Sequence, residues 1–340
     1  MTVFELVRPD SVGPALVEAT GDERWLTFHV QLIAGGKSNL TFELTSAAGS
    51  LIFRRPPTGT LLPSAHNMAR EARVQRALAP TSVPVPEIVL LDAEGELLGV
   101  PFYVMKKADG HVIRGELPHG YAMSIGDKRA LAITLAETLA TLHGVEPDHV
   151  GLADFGRPEG FVVRQLRRWG EQWERTKTVD IDVLEELASR LAKQVPTPSK
   201  VSILHGDYRI DNCVFSMDGP SSIEAILDWE MSSLGDPLVD LGMMRYYWRS
   251  PEERAVELVP SVTRDPAFPT RDFLAEQYAV FADVDLDDLS FYDAFARFKF
   301  AIITQGVLVR SKNGNMAGQI FGNLEDEVRA IATEGLDILR

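Results

Sequence analysis

Short runs of β-forming residues dominate the chain between residues 25 and 105. Gly, Ser and Pro separate these runs, as is typical of strands that are joined by turns. The small residues AAG at 47–49 suit a tight turn between the second and third runs. The pattern therefore predicts a small sheet whose strands are WLTFHVQLI (25–33), NLTFEL (39–44), SLIF (50–53), EIVLL (87–91) and PFYVM (101–105).

One helix is predicted within this β-rich part, in SAHNMAREARVQRAL (64–78). Met68, Ala72 and Leu78 leave it a partly apolar face, and Ser64 suits its N-cap. After residue 110 the apolar spacing becomes helical, with two strand-like runs at 201–205 and 222–229. The helices predicted there cover 127–145, 161–176, 181–195, 236–248, 271–282, 287–312 and 324–340.

These patterns predict an α+β protein of two parts. A small β-rich lobe with one main helix would span residues 1–108, and a larger, mainly helical lobe would span 109–340. The hinge between them would lie at about residues 105–110. Clefts between such lobes commonly bind ligands.

The composition fits a soluble globular protein, because hydrophobic residues make up 45% and charged residues 24% of the 340 positions. Lys and Arg number 34 against 49 Asp and Glu, and a net charge of −15 would repel nucleic acid and anionic membranes. The single cysteine, Cys213, excludes an intrachain disulfide. The start lacks the apolar core of a signal peptide, and the apolar run 300–309 is too short to span a bilayer. We expect a cytoplasmic protein without nucleic-acid or membrane partners.

The segment HGDYRIDN concentrates His205, Asp207 and Asn212 in a loop after the strand-like run VSIL. Asp207 can accept a proton from a hydroxyl, and the carbonyl oxygen of Asn212 can bind a hard cation. A polar turn that bonds only to its own backbone is the alternative. The later segment ILDWE places Asp228 after a second apolar strand, where a hairpin would bring it to the level of Asn212. The two segments together favour a Mg²⁺ site over a plain turn.

Two further features are weak signals when each is taken alone. Gly35 and Gly36 leave the backbone free to approach a phosphate, although a plain hairpin is the simpler reading. Arg54 at the end of the third strand and Glu71 on the predicted helix could form an ion pair that aims the cation at phosphates. A solvated charge at each position is the alternative.

The order of these features is the order found in kinases, from a Gly-rich hairpin and a basic third strand to HGDxxxxN and a strand that ends in Asp. Over residues 25–310 the chain resembles the aminoglycoside phosphotransferase (APH/choline kinase-like) family, since HGDYRIDN matches its HGDxxxxN loop and LDWE its DW/DFE element. The stretches LIFRRPPTGTLLPSAHNMAREARV and ILDWEMSSLGDPLVDLG resemble the subgroup of kinase-like domains that are fused to acyl-CoA dehydrogenases. The resemblance implies a bilobal protein-kinase-like fold.

The resemblance also implies a phosphotransferase that uses ATP and Mg²⁺ and transfers the γ-phosphoryl group to a hydroxyl of a small molecule. Asp207 would be the catalytic base, and His205 would brace the loop without transferring a proton. Asn212 and Asp228 would hold Mg²⁺ against the nucleotide phosphates.

The nucleotide would be held by the β-rich lobe. Glu71 would pair with Arg54, which stands where the family carries a phosphate-gripping lysine, and either Arg54 or Arg55 could point inward. Met105 would lie behind the adenine, whose edge would bond to backbone groups of Lys106 and Ala108. The full set of cofactor-binding residues implied is Gly35, Gly36, Ser38, Asn39, Arg54, Met105, Lys106 and Ala108.

The acceptor is expected to bind the helical lobe, around residues 155–180 and 240–320. Aromatic residues are frequent there, but such clusters more often form a core than a pocket. The acidic run 283–289 could attract an aminoglycoside or simply begin a helix, whereas the subgroup favours a hydroxylated metabolite such as a hydroxyacyl derivative. Asp236 and Asp240 begin a helix, and we expect them to stabilise the catalytic loop.

Two other classes of function compete with this interpretation. A nucleotide-binding pseudokinase or scaffold is the main alternative, because Arg54 replaces the usual lysine. A metal-dependent hydrolase with His205 and Asp207 as ligands would need further histidines at ligand-like spacing, which the sequence does not show. A protein kinase is less favoured, since no A-P-E element follows LDWE.

Overall fold

A computed structural model describes residues 3–33, 39–58, 67–198, 200–313 and 321–340 of the protein. The chain forms two compact units. The first comprises Met1–Gly110 and Glu224–Ser232, and the second comprises His111–Ile223 and Ser233–Arg340. The segment Glu224–Ser232, which includes Asp228, therefore belongs with the β-rich part, a grouping that one hinge near residue 108 did not predict.

The first unit contains an antiparallel five-stranded sheet with strand order β1-β2-β3-β5-β4. Ser46 pairs with Gly49, so the predicted tight turn is formed, and Gly49 adopts a φ of 126°. Trp25 was predicted in the first strand but lies in a 3₁₀ turn, which begins where Asp22 accepts a hydrogen bond from the Arg24 N–H. The strands are β1 His29–Leu32, β2 Leu40–Ser46, β3 Gly49–Arg55, β4 Ile88–Asp92 and β5 Phe102–Lys106.

Two helices that the sequence pattern did not predict cover one face of this sheet. They are α1 (Val3–Val7) and α2 (Pro9–Thr20). Val7, Val12 and Leu16 are fully buried and join the aromatic residues of the sheet in one apolar core. Pro14 lies inside α2.

The predicted helix after β3 begins four residues later than expected, as α3 (Met68–Leu78). Its N-cap is Asn67, whose side chain accepts a hydrogen bond of 2.9 Å from the Arg70 N–H. Ser64, the predicted N-cap, lies outside the described residues. The buried face of α3 includes Glu71, so an acid is carried into the interior beside β5.

The second unit is mainly helical, as predicted. Its helices are α4 Ile125–His143, α5 Phe161–Thr176, α6 Asp182–Lys193, α7 Leu238–Tyr247, α8 Arg271–Ala282, α9 Leu289–Lys312 and α10 Leu324–Ile338. The remaining short strands of the chain are β6 Ser202–Leu204, β7 Cys213–Phe215, β8 Ile223–Ile226 and β9 Ser233–Gly235. β6 pairs with β9 in antiparallel orientation.

Helix α9 is the centre of the second unit, because it is buried along most of its length and α5, α7 and α10 pack on it. Nine aromatic residues of this unit belong to its core, as expected for such a cluster. Each is at most 6% exposed, and they are Trp169, Trp173, Tyr246, Tyr247, Trp248, Phe291, Tyr292, Phe295 and Phe298. Among the described residues, no helix combines the length and apolar character needed to cross a membrane.

Candidate functional site

The segment HGDYRIDN forms a loop between two buried strands. β6 ends at Leu204, a 3₁₀ turn covers Ile210–Asn212, and β7 begins at Cys213. Gly206 has a φ of 84°, a left-handed conformation that favours glycine over residues with a Cβ atom. The loop can therefore turn sharply just before Asp207.

The carboxylate of Asp207 is held on both of its oxygens. The Tyr247 hydroxyl donates to Oδ1 at 2.7 Å, and the Asn212 amide nitrogen donates to Oδ2 at 3.2 Å. The same Asn212 nitrogen donates to the Asp207 carbonyl oxygen at 2.9 Å, which turns the amide oxygen of Asn212 away from the carboxylate. Burial and the nearby Asp207 raise the pKa of Tyr247, so its hydroxyl remains a donor. The structure thus brings the predicted base and one predicted metal ligand into direct contact.

His205 lies inside the loop. Its ring is fully buried, and Nδ1 is 3.2 Å from the Asp207 backbone nitrogen, which donates to it. This bond leaves the proton of a neutral imidazole on Nε2. This geometry supports a bracing role for His205.

Asp240 on α7 anchors the loop through its backbone. Its two oxygens accept hydrogen bonds from the backbone N–H groups of His205 at 2.6 Å and Gly206 at 2.8 Å. Nε2 of His143 lies 3.3 Å from the same carboxylate, and Nδ1 of that ring lies 2.7 Å from the Tyr278 hydroxyl. Burial opposes ionisation, but these donors outweigh it and hold the pKa of Asp240 below its ordinary value. The predicted role of Asp240 in stabilising the loop rests on these contacts.

Asp236 is placed differently. One oxygen accepts from the Leu238 N–H at 2.9 Å and the other from the Tyr292 hydroxyl at 2.5 Å. It therefore bonds to the first residue of α7 and ties this helix to α9, and burial raises the pKa of Asp236.

Arg209 is a residue of the loop that sequence reasoning missed. Its guanidinium donates to Asp211 at 2.7 Å, lies 3.9 Å from Oδ2 of Asp207, and stacks 4.8 Å from the ring centre of Tyr247. Burial opposes its charge, but Asp207 and the other acids prevail and raise the pKa of Arg209. A permanent positive charge thus stands beside the predicted base. It lies at a variable position of HGDxxxxN, so the motif gave no signal for it.

The first unit contains a second cluster, centred on Arg54. Nε of Arg54 lies 3.1 Å from the Glu71 carboxylate, so the predicted ion pair is present, and the guanidinium also pairs with Asp228. Glu230 lies 3.8 Å away. Burial disfavours the charged guanidinium, but the surrounding acids outweigh this and raise the pKa of Arg54. The neighbouring Arg55 is also buried but donates to the backbone carbonyl of Leu6 at 2.7 Å, so Arg54 is the arginine that faces the acids.

Further donors hold Glu71 in place. The Tyr103 hydroxyl donates to one oxygen at 3.0 Å, and the Asn39 amide donates to the other at 3.1 Å. The same amide donates to Glu230 at 3.2 Å. Burial raises the pKa of Glu71 against the opposing effect of Arg54. Asn39, predicted to cover the phosphates, is thus bonded to the acids of this cluster, while Gly35, Gly36 and Ser38 lie outside the described residues.

Asp228 adopts a left-handed backbone conformation with a φ of 65°, which is uncommon for a residue with a side chain. It stands before a 3₁₀ turn, but its side chain makes no capping bond to that turn. Its carboxylate, about one third exposed, pairs with Arg54 instead. Asn212, its predicted partner in metal binding, belongs to the other unit.

The strand that was expected to meet adenine is β5. Met105 is buried near its end. The backbone N–H of Lys106 donates to the Glu87 carbonyl at 2.9 Å, so a bond from Lys106 to adenine would have to use its carbonyl oxygen. The Lys106 side chain is exposed and pairs with Glu87 at 2.5 Å. Ala108 follows the strand in a segment without regular structure.

Comparison with known proteins identifies the family. A model described as the phosphotransferase enzyme family matches residues 29–276. The chain belongs to this family. Acyl-CoA dehydrogenase family member 11 of Homo sapiens is 32% identical over 328 residues, which cover 94% of this chain and 41% of that protein. The chain thus spans about two fifths of the length of that curated relative.

Solved structures confirm the predicted kinase-like α+β fold. A candidate aminoglycoside phosphotransferase from Ralstonia eutropha has a TM-score of 0.82 at 28% identity, and the match covers 97% of both chains. The GDP and kanamycin complex of APH(2″)-IIIa has a TM-score of 0.57 at 16% identity, also over 97% of both chains, and this second likeness concerns the fold alone. The family and the similarity to the Ralstonia eutropha structure support a small-molecule phosphotransferase.

Proposed function

We propose that this protein transfers the γ-phosphoryl group of ATP, in the presence of Mg²⁺, to a hydroxyl of a small molecule. The observation that carries this proposal is the pairing of Asp207 with Asn212 in one buried loop. Both Asp207 oxygens receive hydrogen bonds, so the carboxylate has a defined orientation before any substrate binds. Phosphoryl transfer depends mainly on positioning and charge neutralisation, and such an arrangement meets that need.

In the second unit, Asp207 would accept the proton of the acceptor hydroxyl. Tyr247 and Asn212 would orient its carboxylate, and His205 would hold its backbone through the bond to Nδ1. The positive charge of Arg209, 3.9 Å from the same carboxylate, would help to hold Asp207 in place.

In the first unit, Arg54 would contact the phosphates, with Glu71 fixing its direction. The donor set here fits a divalent cation, because one guanidinium faces the carboxylates of Glu71, Asp228 and Glu230, an excess of negative charge. Mg²⁺ takes further ligands from phosphates and water, so one or two protein oxygens would be enough to hold it. Asp228 and Asn212 would be its protein ligands. Bound Mg²⁺ would neutralise the charge of the phosphates.

The acceptor that we favour is a hydroxylated metabolite such as a hydroxyacyl derivative. The support is the likeness over 94% of the chain to a protein named as an acyl-CoA dehydrogenase family member. An aminoglycoside, as in the kanamycin complex of a fold neighbour, is the second candidate to be screened.

The test combines thermal melting with ADP release. The protein would be melted with ATP or GTP, each with and without Mg²⁺, and then assayed for ADP release with hydroxyacyl derivatives and aminoglycosides as acceptors. A ligand at about a hundred times its Kd stabilises a fold by roughly 2.7 kcal/mol, which gives a clear shift. Asp207→Asn should keep this shift and lose at least about a hundredfold in turnover.

Asp228→Asn is the companion variant, because asparagine tolerates the left-handed backbone that Asp228 adopts, whereas alanine would add strain. It should keep the fold and lose the Mg²⁺-dependent part of the shift. Undiminished transfer by Asp207→Asn would contradict the assignment of the base. A normal ATP shift without turnover on any acceptor would instead establish the nucleotide-binding scaffold.

A further inference from the structure

Lys299 on α9 is a buried cation for which the proposed chemistry has no role. The residue is 5% exposed, and its ammonium group donates to the Gly206 carbonyl oxygen at 2.7 Å. It also lies 5.9 Å from the ring centre of Trp169. An ammonium group that leaves water loses several kcal/mol of solvation, so a lysine in this position requires compensating contacts.

The charges around Lys299 come from several elements. Asp207 in the loop and Asp240 on α7 attract its ammonium group, and Arg168 on α5 repels it. Burial exceeds these effects and lowers the pKa of Lys299. Asp207 and Asp240 thus offset part of the solvation that the ammonium group of Lys299 loses on burial, and both acids belong to the loop or contact it.

The peptide units on either side of Gly206 are held by two opposite charges. Asp240 accepts from the Gly206 N–H at 2.8 Å, and Lys299 donates to the Gly206 carbonyl at 2.7 Å. That carbonyl and the Asp207 N–H belong to the same planar peptide. The Asp207 N–H donates to His205, so rotation of this peptide would break both bonds. Gly206, with a φ of 84°, is the residue at which such a rotation costs least.

We propose that Lys299 is a positioning residue that fixes the peptide between Gly206 and Asp207 and thereby orients the catalytic base. The inference rests on the proposed function for its catalytic consequence, but the orientation of the peptide can be tested without any turnover. By this proposal, a residue of α9 that lies 92 positions after Asp207 in the sequence holds the backbone of Asp207 in its orientation.

The experiment compares Lys299→Met, which removes the charge and keeps the bulk, with Arg297→Met. Arg297 is a matched control, since it is a buried cation on the same helix, 3% exposed and 5.4 Å from the Tyr246 ring centre. Its partners are Asp293 on α9 and Glu334 on α10. Hydrogen exchange of the Asp207 amide is the first measurement, and thermal melting with Mg-ATP shows that each variant is folded.

Lys299→Met should speed exchange of the Asp207 amide by about ten- to a hundredfold, because the loss of a hydrogen bond to a charged group makes local opening easier. Arg297→Met should leave this amide unchanged even if it lowers the melting temperature. The same exchange rate in Lys299→Met and in the wild type would overturn the positioning role, whatever the outcome for turnover.

The catalytic consequence is tested by rescue. Lys299→Ala should reduce Asp207-dependent ADP release by at least about tenfold, with the KM for ATP within about twofold. Added ethylamine or propylamine should restore turnover in a saturable manner, whereas ethanol and propanol should not. Equal restoration by amines and alcohols would show a packing role and overturn the inference. Loss of the proposed function would be recognised separately, as absence of Asp207-dependent ADP release in the wild type.

Discussion

Replacing Asp240 by asparagine should destabilise the protein far more than the same change at Asp236, although both acids are buried at the start of α7. Asp240 accepts from two backbone N–H groups, those of His205 and Gly206. An asparagine can offer its oxygen to one of them, but its NH₂ group must then face the other donor. Asp236 accepts from one N–H and from the Tyr292 hydroxyl, which can itself accept a hydrogen bond from an asparagine.

The magnitude follows from the number of bonds that each substitution breaks. Asp240→Asn loses one hydrogen bond to a charged group and leaves a buried N–H unsatisfied, so the free energy of unfolding should fall by about 2–4 kcal/mol. The bond from His143 at 3.3 Å weakens as well, since it also faces a neutral group. Asp236→Asn keeps both partners and should cost less than about 1 kcal/mol. A loss of 3 kcal/mol in a unit of this size corresponds to roughly 6–12 °C in melting temperature.

The assay is urea unfolding followed by tryptophan fluorescence, with hydrogen exchange at the His205 and Gly206 amides as the local measurement. In Asp240→Asn at least one of these amides should lose protection, and the urea midpoint should fall. In Asp236→Asn the protection of both amides and the urea midpoint should stay close to the wild-type values. If the free energy of unfolding of Asp240→Asn lies within about 1 kcal/mol of the wild-type value, or if the two variants lose equal stability, Asp240 does not anchor the loop in the way described.

Two further predictions concern packing and pH. Gly242→Ala should lower the free energy of unfolding by about 1–3 kcal/mol, because the new Cβ would lie 2.6 Å from the Tyr292 carbonyl oxygen. Gly170→Ala is the control and should raise the free energy of unfolding by up to about 1 kcal/mol, because no atom lies within 4 Å of its new Cβ. Equal effects of the two substitutions in urea unfolding would refute the close approach of α7 and α9. Burial lowers the pKa of His143 from its usual 6.5, so the unfolded chain binds a proton at this histidine more readily than the folded protein does. The contribution of His143 to the free energy of unfolding should therefore be complete above pH 6.5 and decline as the pH falls below 6.5. His143→Gln should remove this part of the pH dependence, and urea midpoints of both proteins between pH 5 and 8 measure it.

Strongly periodic segments could be read from the sequence, and irregular ones could not. The helices at Phe161–Thr176 and Arg271–Ala282 have the bounds that apolar spacing predicted, since each has one continuous buried face. α2 was missed because Pro14 interrupts a pattern that packing against the sheet nevertheless makes helical. Adjacent residues of a strand point to opposite faces of the sheet, so Arg54 and Arg55 should face opposite sides. Only the position of Glu71 in the fold shows that Arg54 is the one that meets an acid.

The parts of the site that could not be predicted depend on contacts between distant residues. The position of Asp240 at the start of α7 led to the expectation that it stabilises the loop, but no spacing rule predicted its contact with His143, 97 residues away. The role of Tyr247 was hidden for another reason, since an aromatic residue in a buried cluster gives the same signal whether its hydroxyl is idle or bonded to Asp207. The motif predicted Asp207 as the base, and the tertiary contacts show what holds its carboxylate.

The charges near the base bear on the choice of acceptor. The chain as a whole is acidic, with a net charge of −15, which alone would favour a polycation such as an aminoglycoside. Around the catalytic loop, however, Arg209 and Lys299 offset most of the charge of Asp207, Asp211 and Asp240. If Asp207 is the base, as proposed, a polycation would meet only one excess negative charge among these five groups. This local balance supports a neutral or anionic acceptor, in agreement with the proposed hydroxyacyl derivative.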